Sequence, residues 1–261
     1  CALPISLREL APEEAVALVD APLAGLLVET LSSPSRSEQR AAADAIAPLV
    51  ATLPALEAAL EAALDDPRQR TRWGAAYTLG RGPVSRPPRL WPAVREAMAL
   101  EDGDQRWAAA ELATALARQD ETVAEALREA TRDESPVLRR MALYGLREIP
   151  ASDLGETAAR ALADPDATVR LAALSALAVA PGDPAAQEAR ARVVVDRVAG
   201  DPDPGVRRAA AATLGRLGVA HPDVTAALDA AAEASDRSLA RAARDRSEEH
   251  TSELQSRQYL V

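Results

Sequence analysis

The side chains best suited to hold another molecule in this sequence are five aromatics, Trp73, Tyr77, Trp91, Trp107 and Tyr144, with the arginines near them. A sixth ring, Tyr259, lies in a terminal segment of different character. Trp73 and Trp107 directly follow Arg72 and Arg106, while Tyr77 and Tyr144 stand five places after Arg72 and Arg139. Residues four apart on a helix share a face, so these two offsets fall on one strip. Trp73, Tyr77, Trp107 and Tyr144, flanked by Glu111, Arg140 and Arg147, compose a candidate partner-binding surface. Clustered Trp, Tyr and Arg are what the centres of binding interfaces are made of. The alternative is that the rings fill space that Ala alone would leave void.

Catalytic chemistry is poorly supplied. No His–Glu metal motif, Cys–His pair, phosphate-binding glycine loop or nucleophile elbow occurs. Cys1 is the single cysteine, and of the two histidines His250 lies in the terminal segment. His221, followed by Pro222, reads as a helix cap. The 40 acidic residues are expected to form solvated faces, not acid/base pairs. No catalytic residue, metal ligand or cofactor site is expected, and the chain is read as a non-enzyme.

Composition narrows the partners. The net charge of −10, with acids and arginines interspersed, argues against broad binding to nucleic acid or anionic membrane. One cysteine excludes an intrachain disulfide, and no apolar run reaches the length of a membrane span. A cytoplasmic monomer with a protein partner is the expectation. Lys, Asn and Phe are absent. An all-Arg cationic set suits phosphate or carboxylate recognition, but the joint loss of AT-rich codons points instead to a GC-rich bacterial genome.

The elements that position these residues repeat. Arg40, Arg72, Arg106, Arg139, Arg170 and Arg207 each open an Ala-rich run, as in QRAAADAI, TRWGAAYTL, QRWAAAELA, LRRMALYGL, VRLAALSAL and VRRAAAATL. Their successive spacings are 32, 34, 33, 31 and 37 residues, and LARAARDR begins a seventh run. A period near 33 in a text of helix formers means stacked helix pairs. Asp66, Asp133, Asp164 and Asp201 each lie six residues before their arginine, in turns such as DDPR, ADPD and GDPDPG. Asp and Pro there mark the start of a second helix. Gly80–Pro92 interrupts this order, and its Gly and Pro content predicts a longer loop, either functional or a drifted connector.

The Asp-turn-Val-Arg pattern resembles the HEAT family, particularly the short bacterial HEAT-like repeats also found in phycobilisome lyase subunits. The likeness covers residues 23–245 and implies an all-α, right-handed α-solenoid, an armadillo-type superhelix of about seven helix pairs. It also implies that the aromatic strip faces the concave side. Carried over from the family, Asp66/Arg72, Asp133/Arg139, Asp164/Arg170 and Asp201/Arg207 form a structural ladder between neighbouring repeats. Repeat three departs, with Glu101 five places before Arg106, and repeat one has Pro34 at the Asp position, which puts ladder contacts there in doubt. The function so implied is a non-enzymatic scaffold gripping a partner helix or extended segment on its concave face. The alternative is a phycobilin-lyase-like subunit that handles a chromophore. Nucleic acid is a third reading, disfavoured by the lack of basic surplus.

Residues 1–22 are read as a partial repeat or cap. Residues 246–261, RSEEHTSELQSRQYLV, resemble the in-frame translation of a sequencing adapter and are expected not to be native sequence. The partner's identity, the biological process and the true termini are outside what these residues specify.

Overall fold

The computed structural model describes residues 19–82, 86–149 and 153–244. The adapter-like segment, residues 246–261, and most of the expected N-terminal cap lie outside the described residues. Contacts divide the chain into two compact units, residues 1–127 and 128–261. Among the described residues every regular element is helical, and none is long and apolar enough to cross a membrane.

The first unit holds three helix pairs: α1 (Ala21–Thr30) with α2 (Arg36–Ile46), α3 (Pro54–Ala63) with α4 (Gln69–Arg81), and α5 (Pro87–Met98) with α6 (Gly103–Ala117). Helix α7 (Glu121–Ala130) spans the boundary. The second unit continues with α8 (Pro136–Arg147), α9 (Leu154–Ala161), α10 (Ala167–Leu177), α11 (Pro184–Gly200), α12 (Pro204–Leu217) and α13 (Pro222–Ala232). Residues 237–244 form a further helical stretch after α13. In each unit second helices stack on second helices, α2 on α4 on α6 and α8 on α10 on α12. This is the α-solenoid architecture implied by the repeat.

Small residues let these helices approach closely. A Cβ on Gly74 would sit 2.7 Å from both the Cβ and the carbonyl oxygen of Leu31, so only glycine fits where α4 crosses the end of α1. Larger apolar side chains then close the core, with Leu56, Leu60, Leu79, Leu90 and Met98 fully buried in the first unit. Leu138, Met141, Val169, Val194 and Val206 do the same in the second.

The turns are built in two steps. Asp133, Asp164 and Asp201 each accept the backbone N–H two residues on, at 2.9 Å. That Asx turn places Ser135, Asp166 or Asp203 as the N-cap, which then accepts from Leu138, from Thr168 and Val169, or from Val206. In repeat two the same turn forms, with Arg68 N–H donating to Asp66 at 2.8 Å, but the cap position holds Arg68 and helix α4 has no side-chain cap.

The repeat arginines lock these turns. Nη1 of Arg72, Arg139, Arg170 and Arg207 donates to the carbonyls six and five residues earlier in its own turn. The other edge of the guanidinium reaches the next repeat: Arg139 grips Asp164 at 2.7 and 2.8 Å, and Arg170 grips Asp201 at 2.8 Å on both oxygens. The ladder residues are therefore paired differently from the family carry-over. Asp164 and Asp201 face the arginine of the preceding repeat, while Arg170 and Arg207 take the backbone carbonyls of their own turns, because six residues of turn bring the guanidinium beneath the carbonyls and not beside the carboxylate.

Two departures from the pattern resolve on the same geometry. Arg106 keeps the clamp, donating to the Leu100 and Glu101 carbonyls at 2.8 and 3.3 Å, because a carbonyl is present whatever the side chain. Arg72, lacking a turn Asp in repeat three, forks instead onto Glu96 of α5 at 2.7 to 3.1 Å. In repeat one Arg40 is exposed. Asp66 is instead held by Arg68, which also forks onto Glu29.

The expected loop over Gly80–Pro92 is shorter than its composition suggested. Helix α4 runs through Gly80 to Arg81 and α5 starts at Pro87. Pro87 and Pro88 occupy the first turn of α5, where no intrahelical N–H is required, and Pro92 lies inside the helix. Arg86 and Arg89 tie this start to α3 through Glu57, Glu61 and Asp65.

Asp201 tests the lock. Its side chain is fully buried and shares the site with Arg170, itself 6% exposed. Burial raises the Asp201 pKa, but the Arg170 hydrogen bonds, the Asp203 N–H and the Arg170 and Arg197 charges together hold it below 3.8. A depressed carboxylate contributes stability above its unfolded pKa and loses it as pH falls through the folded one. Asp201→Ala is expected to cost about 3–5 kcal/mol in urea unfolding at pH 7, since it strands a buried guanidinium. Between pH 7 and pH 3 the wild type should lose more stability than the variant, and parallel pH profiles would refute the lock.

Candidate functional site

The aromatic strip sits on the second helices, as expected, but its members differ in exposure. In the first unit Trp73 on α4 is only 3% exposed, whereas Trp107 on α6, at the same offset from its arginine, is 47% exposed. The expectation of a partly exposed ring at Trp73 is thus corrected: Trp73 is a wall of the core. Tyr77 stacks against it at 5.2 Å between ring centroids with a 42° tilt, and is half-buried. Arg81 covers the outer face of Tyr77 at 5.1 Å, donates to its hydroxyl at 3.2 Å, and pairs with Asp44 of α2 at 2.9 Å.

Residues that the spacing of rings did not reveal complete this surface. A narrow cleft is lined by Arg36, Gln39 and Arg40 of α2, Trp73 and Tyr77 of α4, and Gln105 and Ala108 of α6. Arg36 reaches past α4 to the carboxylates of Asp102 and Asp104 at the start of α6, the latter at 2.7 Å. Asp102 meanwhile caps α6 through the N–H groups of Asp104 and Gln105. This contact joins repeats one and three at the cleft that Trp73 also lines. Gln39 is held in the floor by the Leu31 carbonyl at 2.6 Å. A signal for part of this set was present, since Gln39 and Gln105 both directly precede a repeat arginine; nothing in the spacing singles out Arg36.

Glu111 is exposed on α6, one turn beyond Trp107. Arg140, Tyr144 and Arg147 lie on α8 in the second unit, all partly exposed. Arg147 stands over the Tyr144 ring at 5.8 Å and donates to Ser175 Oγ of α10 at 2.6 Å. The arrangement offers flat apolar faces, guanidinium groups and amides. That is recognition chemistry, without a nucleophile beside a base. His221 caps α13, its Nδ1 accepting from Asp223 N–H at 3.2 Å, in keeping with its reading as a cap.

The turn geometry and helix stacking now have a counterpart among known proteins. Residues 156–245 match the family described as HEAT repeats. Over those residues the chain is built of HEAT repeats. YibA of E. coli is similar in fold, with a TM-score of 0.55 and 16% identity over 89% of this chain and 80% of that one. Kap121p is similar over 93% of this chain, with a TM-score of 0.56 and 14% identity; the chain spans only 30% of its length. The CpcE–CpcF complex of phycocyanin lyase from Nostoc sp. PCC7120 shares 25% identity over 89% of this chain and 88% of that one, at a TM-score of 0.37. That overlap carries no argument for chromophore handling, and the other two speak to fold alone. A comparison with curated protein sequences finds no match.

The two tryptophans give opposite expectations. Trp73→Ala should lower stability by about 3–5 kcal/mol, the range for a truncated core ring. Trp107→Ala should change it by less than about 1 kcal/mol, as for most exposed positions. Urea unfolding of both variants, with iodide quenching to grade ring exposure, checks this; a Trp107 as costly as Trp73 would make it a packing residue.

Proposed function

We propose that this protein is a non-catalytic scaffold that holds a protein partner on the second-helix face of its repeats. The observation that carries the reading is Trp107, a large ring left 47% exposed beside a cleft walled by Tyr77, Gln105 and two arginines. An exposed Trp flanked by Arg and Tyr supplies large contact area at low conformational cost. The fold suits the task, since stacked repeats offer an extended surface on one side. Kap121p, of the same architecture, has been solved bound to Nup53p. Glu111 adds an exposed acid to this set, and in the second unit, taken by itself, Arg140, Tyr144 and Arg147 offer the same type of chemistry on α8.

The partner is proposed to be a helix or an extended segment with both apolar and acidic side chains. Arg36 is already neutralised by Asp102 and Asp104, so the face has mixed charge and does not favour a polyanion.

Site-specific photocrosslinking in host lysate tests this. A photoreactive residue at position 107 should capture a discrete protein, while the same residue at Ala62, exposed on first helix α3, should not. Trp107→Ala should then weaken the isolated partner's binding at least tenfold without lowering the melting temperature. Equal capture at both positions, or unchanged affinity in the variant, would overturn the proposal.

A further inference from the structure

A second cleft, unrelated to the aromatic strip, opens in the second unit between α9 and α11. Its volume is about 350 Å³, within the range of small-molecule sites. Gly155 and Ala159 of α9 and Ala186, Ala189 and Val193 of α11 line it, with Pro181 closing one end. These walls are apolar, and Val193 keeps 42% of its surface exposed.

One charged side chain is built into this apolar wall. Arg190 is 6% exposed. Its Nη1 donates to the Ala180 carbonyl, and its Nε to the Ala186 carbonyl at 3.1 Å. Nη2 is buried and has no partner. No carboxylate pairs with Arg190 among the described residues. Asp183, the acid whose charge it feels, spends its side chain capping Ala186 N–H at 2.8 Å. Burial accordingly holds the Arg190 pKa below its ordinary value, with Asp183 opposing.

The contrast with its neighbours is specific. Arg139, half-buried, and Arg170, buried, in the same unit each carry a two-pronged carboxylate. A guanidinium stays protonated in proteins, and an uncompensated buried charge is costly. An anion from outside would complete Arg190 as Asp164 and Asp201 complete the others. Gly182 lies close over the guanidinium, where a Cβ would sit 2.8 Å from Nη2. The Pro181–Gly182 connection covering Nη2 is non-helical and exposed, so a small displacement admits an oxygen. Glu156 at the cleft mouth, 3.9 Å from Arg160, repels a second negative charge.

We propose that the α9–α11 cleft binds a small organic monocarboxylate with an aliphatic body, its carboxylate pairing with Arg190 and its chain lying along Ala159, Ala189 and Val193. The ligand class follows from one cation, apolar walls and an acid at the mouth.

Calorimetric titration of the full chain with hexanoate and with hexanol tests the proposal. Hexanoate should bind saturably at one site and raise the melting temperature, and hexanol should bind at least tenfold more weakly. Arg190→Met should reduce hexanoate affinity at least tenfold. Ala189→Trp fills the cleft from an exposed position, leaves Arg190 in place, and should abolish binding; it decides the matter if Arg190→Met does not fold. No saturable hexanoate binding, equal binding of hexanol, or unchanged binding by Ala189→Trp would overturn the proposal. So would binding of a peptide with a free aliphatic C-terminus in the absence of hexanoate binding.

Discussion

The structure depends on one interaction, the two-sided grip of a guanidinium between its own turn and the next. Arg170 shows all of it. One edge of the group ties the Asp164 and Pro165 carbonyls, and the other takes both oxygens of Asp201. The turn carbonyls precede the N-cap Asp166 and so lie outside the intrahelical ladder. Asp201 in turn accepts the Asp203 N–H and so sets the cap of α12. A single planar cation thus orders two turns, a helix start and the offset between repeats. Lysine, a point charge with no fork, cannot make this set of bonds. The absence of Lys from the sequence has a codon explanation, but at these positions arginine is demanded by geometry.

Such a lock is specific more than it is strong. A buried ion pair recovers in Coulomb attraction roughly what desolvation costs it, so the free energy of stacking comes chiefly from the Ala, Leu and Val contacts between second helices. The lock instead fixes register. Small residues pack in many ways, and a surface as rich in Ala as α10 has little shape with which to reject a shifted neighbour. A directional, charge-assisted fork rejects it. The same division holds in the first unit, where Arg72 finds Glu96 on a helix once the turn Asp is missing. The function of the interaction survives the change of residue because it needs a carboxylate at one place, not an Asp at one position.

That substitution marks how far the fold was legible. The period near 33 residues and the Asp-to-Arg spacing identify the repeats because turn chemistry is local and leaves its residues at fixed offsets. The partner of each Asp was not legible, because the pairing runs between repeats and depends on where the next turn is set down. Glu96 was invisible for the same reason. Gly80–Pro92 misled in a different way: glycine and proline report local preference, and Pro87 and Pro88 sit where a helix start tolerates them, while Gly80 lies against Leu112 in a packed helix. The candidate strip was legible as a face and not as a surface. Offsets place Trp73 and Trp107 on equivalent helix positions, but burial is decided by what crosses above.

Arg36 and Trp73 line one cleft, and the two rings at equivalent offsets differ in burial. Arg36 spans from repeat one to the acids that begin α6, and so joins residues two repeats apart. Trp73 is a wall of the core, Tyr77 beside it is half open, and Trp107 is exposed. A ring held on one side by a packed Trp and on the other by Arg81 has little rotamer freedom left to lose on contact. The buried Trp73 thus fixes Tyr77 in place. Rigid neighbours of this kind, more than the count of exposed rings, separate a surface able to bind from one that is merely apolar.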